Sequence, residues 1–146
     1  MELTFSDFNF ALIGLPPSIA FRFIGQGNSV EVFSLSDFFA VAYMVCEDFT
    51  FNHICVALKN IVILGNEILD VQVYAATCVN GVYGNPAAIT PPLFINVFTA
   101  STNQCVESTI SPAVTITAGS LVAVFYNFIS GIDTVTCLVA ATISNQ

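Results

Sequence analysis

Apolar and polar residues alternate with period two in short runs spread over this 146-residue sequence. The pattern is clear in Phe21–Phe23, Val30–Val32 and Val114–Thr117. Successive side chains of a β-strand point to opposite faces of its sheet, so this alternation predicts half-buried strands. The same runs are rich in Val, Ile, Phe, Tyr and Thr, which suit a pleated surface, and helical spacing is not sustained anywhere. The chain is therefore predicted to be all-β.

Turn-forming residues separate the alternating runs at intervals of roughly 8–12 residues. In Gly25–Asn28, Gly84–Pro86 and Ala118–Ser120, Gly and Asn allow positive φ, and Pro removes a ladder donor. Short strands at this spacing are typical of an antiparallel β-sandwich, and we predict about nine or ten of them. Their predicted positions are residues 8–14, 19–24, 29–35, 38–46, 49–59, 67–78, 93–99, 113–117, 121–129 and 133–144.

The composition indicates more apolar surface than one small core needs. Apolar residues make up 55% of the sequence and charged residues 8%, with ten acids, two bases and a net charge of −8. Soluble domains usually carry about 25% charged residues, so we expect the surplus apolar surface to lie between subunits. The same composition excludes disorder and a basic nucleic-acid site, because Arg22 and Lys59 are the only bases. The length suits a single domain, residues 1–146.

The sequence predicts neither membrane insertion nor a signal peptide. A spanning helix needs about 20 mostly apolar residues, whereas the longest strictly apolar run is Phe38–Cys46. The N-terminal residues Met1–Leu3 do not begin a basic region followed by an apolar stretch.

Catalytic chemistry has few residues to draw on. His53 is the only histidine, and its strand pattern lacks the glycines of a nucleophile elbow. The carboxylate pairs Glu47-Asp48 and Glu67 with Asp70 lack the clustered ligands of a calcium loop and any sign of a cleft. We therefore predict that the chain is not an enzyme and has no catalytic residues, cofactor or metal.

The cysteines are scattered singly over different predicted strands. They are Cys46, Cys55, Cys78, Cys105 and Cys137. None forms the close pair typical of a zinc site, so zinc is not expected, although His53 and Cys55 could share a strand face. They are either buried thiols or disulfide halves. Because five is an odd number, at least one is unpaired or crosslinks two chains.

A resemblance covers roughly the last 100 residues. Strand pattern Phe49–Leu58 is followed by Leu69–Thr77, a Gly/Asn/Pro loop, Pro112–Phe125 with its Thr-Ala-Gly-Ser-Leu-Val stretch, and a last strand Thr134–Ile143. This order resembles the C-terminal domains of collagen-like exosporium glycoproteins of spore-forming bacteria. The resemblance implies a jelly roll of the tumour-necrosis-factor/C1q type that forms tight trimers. Two features depart from that family, since the collagen stalk is missing and the cysteines are more numerous.

The resemblance divides the single domain into two parts. Residues 37–146 are the predicted jelly-roll core, and residues 1–36 are either extra strands or an arm that docks on a neighbour. The implied function is a structural, self-assembling protein of the spore surface, made in the mother-cell cytosol, whose partners are itself and other spore-surface proteins. Subunits of spore appendage fibres, crosslinked by disulfides, are an alternative, and a lectin-like or adhesin-like binding module is another.

Aromatic residues on the predicted strands are the expected subunit contacts, because such residues often line the axis of compact jelly-roll trimers. They are Phe38, Phe39, Tyr43, Phe125, Tyr126 and Phe128. If the chain binds a ligand, the loop containing Tyr83 and Asn85 is the candidate site.

Overall fold

Strands make up nearly all of the regular structure. The computed structural model describes residues 2–6, 11–13, 21–32, 34–63, 67–97, 103–129 and 135–146, in which there are fourteen strands and one short 3-10 helix, η1. The elements are, in order, β1 (Glu2–Ser6), β2 (Ala11–Ile13), β3 (Phe21–Ile24), β4 (Ser29–Glu31), η1 (Leu35–Ala40), β5 (Tyr43–Met44), β6 (Phe49–Ile63), β7 (Glu67–Ala76), β8 (Cys78–Val79), β9 (Val82–Tyr83), β10 (Ala87–Ala88), β11 (Leu93–Val97), β12 (Asn103–Ile116), β13 (Leu121–Phe128) and β14 (Val135–Ser144). No helix in these residues is long and apolar enough to cross a membrane.

Two antiparallel sheets form the sandwich. Sheet A has the order β1-β14-β6-β12, with β2 also on β14, and sheet B has the order β10-β7-β13-β3-β4, with β11 on β7 and β5 on β13. The chain crosses between the sheets from β6 to β7 and again from β12 to β13 to β14, and its first strand pairs with its last. This is a jelly-roll sandwich, which confirms the predicted fold class. Strands β1 to β4, within the first 36 residues, are paired in both sheets.

The main core lies between the two sheets. Along β7 the burial alternates, so that Leu69, Val71 and Val73 are buried while the residues between them are half-buried. From sheet A, Ile54, Val56 and Leu58 of β6 belong to the same apolar cluster. Val124 and Tyr126 of β13, in sheet B, belong to it as well. The period-two prediction is confirmed for β6 and β7, because each has one face in the core. Strand β13 is instead buried on both faces.

A second apolar cluster covers part of the outer face of sheet B. It contains Phe23 of β3, Ala76 of β7 and Ala123 of β13, and η1 closes it with Phe38. The rings of Phe23 and Phe38 meet edge to face, with centroids 5.5 Å apart. Apolar residues therefore occupy both faces of sheet B.

The strand predicted over residues 38–46 is wrong over its first part. Ser34 and Asp37 form a capping box, in which the Ser34 backbone N–H donates to Asp37 Oδ2 at 3.0 Å. Such a box starts a helical turn, and the turn places Phe38 over Phe23. Only Tyr43–Met44 of the predicted stretch pairs as a strand.

The predicted strand over residues 113–117 is too short. Strand β12 begins at Asn103 and runs beside β6 to Ile116, with a register shift between Thr109 and Val114 around Pro112. Proline cannot donate to the ladder and belongs at such irregularities. The count of about nine or ten was also low, because β5, β8, β9 and β10 are two-residue strands, too short to show a period. Parts of the predicted strands at 8–14, 19–24, 93–99 and 133–144 lie outside the described residues.

Candidate functional site

Seven large apolar side chains of the described residues are between 42% and 69% exposed. They are Leu35, Phe39, Met44, Val79, Val82, Phe94 and Ile129. Single exposed apolar residues are ordinary on protein surfaces, but groups of them mark contact sites. Six of the seven fall into two regions, one at an end of the sandwich and one on the outer face of sheet B, and the seventh, Leu35, begins η1.

The first region is the hairpin end, which we define as Phe39, Met44, Val79 and Val82. Strands β8 and β9 form a two-residue hairpin whose turn, Asn80-Gly81, has positive φ at both positions, as a type I′ turn requires. Val79 and Val82 pair across it and are 65% and 69% exposed.

Short contacts hold the hairpin end together. The Tyr83 hydroxyl donates to the Gly119 carbonyl at 2.8 Å, and the rings of Tyr83 and Phe39 lie 6.4 Å apart. The backbone of Val45, next to Met44, exchanges hydrogen bonds with Gly119 and Ser120. The 3-10 helix, β5 and the hairpin therefore present their exposed apolar side chains at one end of the molecule.

The second region lies on the outer face of sheet B, beyond the cover of η1. Phe94 of β11 is 59% exposed and pairs with Asp70 of β7, which in turn pairs with Asn127 of β13. Ile129 follows β13 and is 48% exposed. This part of the face combines the two exposed apolar side chains with Asp70 and Asn127, and burial raises the pKa of Asp70.

The six predicted contact residues are not equally placed. Phe38, Tyr126 and Phe128 are buried within the chain and present almost no surface to another subunit. Tyr43 is half-buried and packs against the main core, with its ring 5.3 Å from that of Phe5. Phe125 is also half-buried and packs against the second cluster, with its ring 5.5 Å from that of Phe23, so Phe39 is the one exposed residue of the six.

The four cysteines with described side chains are all free thiols. Cys46, Cys78 and Cys105 are exposed, and Cys55 is half-buried. The side chain of Cys137 lies outside the described part of the chain. Cys78 belongs to β8 and Cys46 follows β5, so two exposed thiols flank the hairpin end.

The two residues of the predicted ligand loop differ in burial and hydrogen bonding. Tyr83 is half-buried and uses its hydroxyl on the Gly119 carbonyl, whereas Asn85 is exposed. Tyr83 therefore fixes the hairpin against the turn before β13, and a ligand role for the loop stays a prediction.

The fold separates the carboxylates of Glu67 and Asp70. Glu67 is 1% exposed on the core side of β7, whereas Asp70 lies on the opposite face. At the other pair, the Ala118 backbone N–H donates to Asp48 Oδ1 at 2.8 Å, so Asp48 fixes the turn before β13. The Glu67 and Asp70 carboxylates are therefore not arranged to act on one substrate.

His53, Cys55 and Glu107 meet on the outer face of sheet A. Cys55 Sγ lies 3.6 Å from His53 Nδ1 and donates to Glu107 Oε1 at 3.7 Å, and His53 Nε2 lies 4.0 Å from Glu107 Oε2. The His53 side chain is 12% exposed and that of Glu107 is 72% exposed. Burial, followed by the Glu107 charge, raises the pKa of Cys55. The shared face of His53 and Cys55 was foreseen from the alternation, but Glu107 was not.

No family model and no curated protein matches the sequence. Among solved structures, the globular domain of zebrafish complement 1qA protein is similar, with 10% sequence identity and a TM-score of 0.42, over 97% of this chain and 94% of that chain. The jelly-roll class of this chain is given by its strand pairing, as described above.

The raised pKa of Asp70 predicts a pH-dependent gain from Asp70→Asn. When the pKa of a carboxyl is higher in the folded state, the folded state is destabilised as the pH rises from the ordinary pKa of 3.8 through the folded-state pKa, because the buried group must then ionise. Asp70→Asn should therefore raise the melting temperature at pH 7, and the gain should shrink as the pH falls toward 3.8. Thermal unfolding at fixed protein concentration measures this. Glu47→Gln, at an exposed carboxylate, is the control, and an Asp70→Asn gain that is independent of pH would contradict the assignment.

Proposed function

We propose that this chain is a non-catalytic structural protein that assembles with copies of itself into a homotrimer on the outer surface of a bacterial spore. The hairpin end carries the proposal, because it exposes four large apolar side chains at one end of a sandwich with few charges. The spore surface is proposed from the resemblance of residues 38–144 to exosporium glycoproteins.

Burial at the hairpin end is the proposed driving force. Apolar surface removed from water contributes about 25 cal/mol per Å², and obligate interfaces bury roughly 2,000 Å² or more. Val79 and Val82 expose about two-thirds of their surface in the isolated chain.

The absence of catalysis is part of the same proposal. The carboxylates of β7 point to opposite faces, and the Tyr83 hydroxyl is bonded to backbone. A disulfide-linked appendage fibre is the second candidate, and the exposure of Cys46 and Cys78 beside the hairpin end favours it.

The association prediction is tested by mass in solution. Analytical ultracentrifugation of the reduced chain should give a particle of three 15.6 kDa protomers. The double variant Val79→Ser/Val82→Ser should give monomers at the same concentration, because it removes the most exposed apolar pair while leaving the core intact. Far-UV circular dichroism should show unchanged strand content.

The matched control removes the other exposed apolar pair. Phe94→Ser/Ile129→Ser should remain trimeric, since these residues lie away from the hairpin end. Loss of the trimer in this variant alone would move the interface to sheet B, and a monomeric wild type at every concentration would refute self-association. A ladder on non-reducing gels that Cys46→Ser/Cys78→Ser abolishes would favour the fibre instead.

A further inference from the structure

We propose that His53, Cys55 and Glu107 form a binding site for a divalent transition-metal cation of the zinc class. The strand geometry brings the three together. His53 and Cys55 are two residues apart on β6, and they face outward because Ile54 and Val56 beside them are buried. Glu107 stands directly opposite Cys55 in the pairing of β6 with β12. The site is independent of the hairpin end and of the proposed self-association.

The distances fit a tetrahedral ion with little movement. Zinc lies about 2.3 Å from sulfur and about 2.0–2.2 Å from nitrogen or oxygen, so tetrahedral ligands are separated by roughly 3.4–3.6 Å. Cys55 Sγ lies 3.6 Å from His53 Nδ1 and 3.7 Å from Glu107 Oε1. All three donor atoms lie within 4.8 Å of one another. The two distances from Cys55 Sγ are therefore already close to those around a bound zinc ion, and the exposed Glu107 side chain has to move toward His53 to complete the set.

The donor set selects the class of metal. A thiolate, an imidazole and a carboxylate suit zinc and related borderline cations, whereas calcium and magnesium take oxygen ligands. Binding replaces the proton of the Cys55 thiol by the metal and releases that proton to solvent. Three protein ligands leave the fourth position for water. The exposed Glu107 side chain forms the entry side, and the nearly buried His53 forms the floor.

One further thiol lies close enough to require a control. Cys105 is two residues before Glu107 on β12 and is exposed on the same outer face. It stands opposite Ala57, one step along the sheet from the cluster. The proposal assigns the ion to His53, Cys55 and Glu107, so Cys105→Ser should retain binding while Cys55→Ser should not.

The test is a cobalt titration of the full chain. Co²⁺ replaces zinc and reports thiolate ligation through a near-ultraviolet sulfur-to-metal band and tetrahedral geometry through visible absorption. Exposed thiols elsewhere are removed first by Cys46→Ser/Cys78→Ser, and a phosphine reductant keeps the others reduced. We expect one Co²⁺ per chain with both bands, displaced by one equivalent of Zn²⁺.

Three variants separate a metal site from adventitious binding. Cys55→Ser should lose the sulfur band, and His53→Gln and Glu107→Gln should each weaken Co²⁺ binding at least tenfold. Glu107→Gln is the safest of the three, because its side chain is 72% exposed and the substitution does not disturb the core. Absence of a tetrahedral spectrum in the parent chain, or equal loss in Cys105→Ser and Cys55→Ser, would overturn the proposed ligand set.

Discussion

Phe23→Ala should lower the free energy of unfolding by about 3–5 kcal/mol, the range for truncating a buried phenylalanine. The Phe23 side chain is fully buried although it points away from the main core. Its ring lies 5.5 Å from Phe38, 5.2 Å from Tyr74 and 5.5 Å from Phe125, in edge-to-face contacts. Removing it leaves a cavity beneath η1 and takes away the surface on which that helix rests.

The matched control is Phe94→Ala, the same truncation at a ring that is 59% exposed on the same sheet. Phe94→Ala should lower the free energy of unfolding by well under 1 kcal/mol, because surface substitutions usually change it by no more than about 0.5 kcal/mol. Urea unfolding at equal protein concentration gives both values, since association makes apparent stability depend on concentration. If the two variants lost equal amounts of unfolding free energy, the second apolar cluster under η1 would not contribute the predicted stability.

The alternation predicted those strands that have one buried face. Along β7, Leu69, Val71 and Val73 lie in the main core and are separated by Asp70 and Gln72, so the period is visible in the sequence. Strand β13 is apolar on both faces and shows no such period.

The alternation failed at η1, where Phe38 is buried by a helical turn and begins the unbroken apolar run Phe38–Cys46. The alternation also failed over most of β12, because the inner face of that edge strand is only half-buried and carries the polar residues Gln104 and Ser108. Polar residues on the inner face leave no apolar period to detect.

Aromatic residue type alone does not show which side chains of sheet B are exposed. Sheet B is apolar on both faces, so Phe125 and Tyr126 look alike in the sequence although one is half-exposed and the other buried. Which face is covered depends on η1 and on the partner sheet, and neither follows from local pattern. The exposed Val79 and Val82 were missed for the same reason, because their strands are two residues long.

Only part of the proposed metal site could be predicted from the sequence, because two of its ligands lie on one strand and the third lies on another. A spacing of two places His53 and Cys55 on one face of any strand. Glu107 is 52 positions from Cys55 in sequence, and it joins them only through the register of β12 on β6. Register is a property of paired strands, so the third ligand becomes visible only in the folded sheet.

Gly25→Ala should destabilise the chain by about 2–3 kcal/mol, as insertion into a packed site typically does. Gly25 lies between β3 and β4, where its backbone N–H donates to the Asn28 carbonyl and its own carbonyl accepts from Ser6, both at 2.9 Å. A Cβ at this position would collide with the Val41 carbonyl oxygen and lie 2.7 Å from Asn28 Oδ1. Val41 ends η1. The added methyl group must therefore displace backbone at the end of the helix that covers Phe23.

The control is the same substitution at Gly84, where an added Cβ meets nothing within 4 Å. Gly84→Ala should change the free energy of unfolding by no more than about 0.5 kcal/mol. Both variants remove the same backbone freedom from the unfolded chain, so their difference isolates the collision at Val41. Equal urea midpoints for the two variants would contradict the prediction, because they would show that the backbone at Val41 can move away from the added methyl group without loss of stability. The predicted loss requires instead that η1 is held in place by its contacts with Phe23 and the second core.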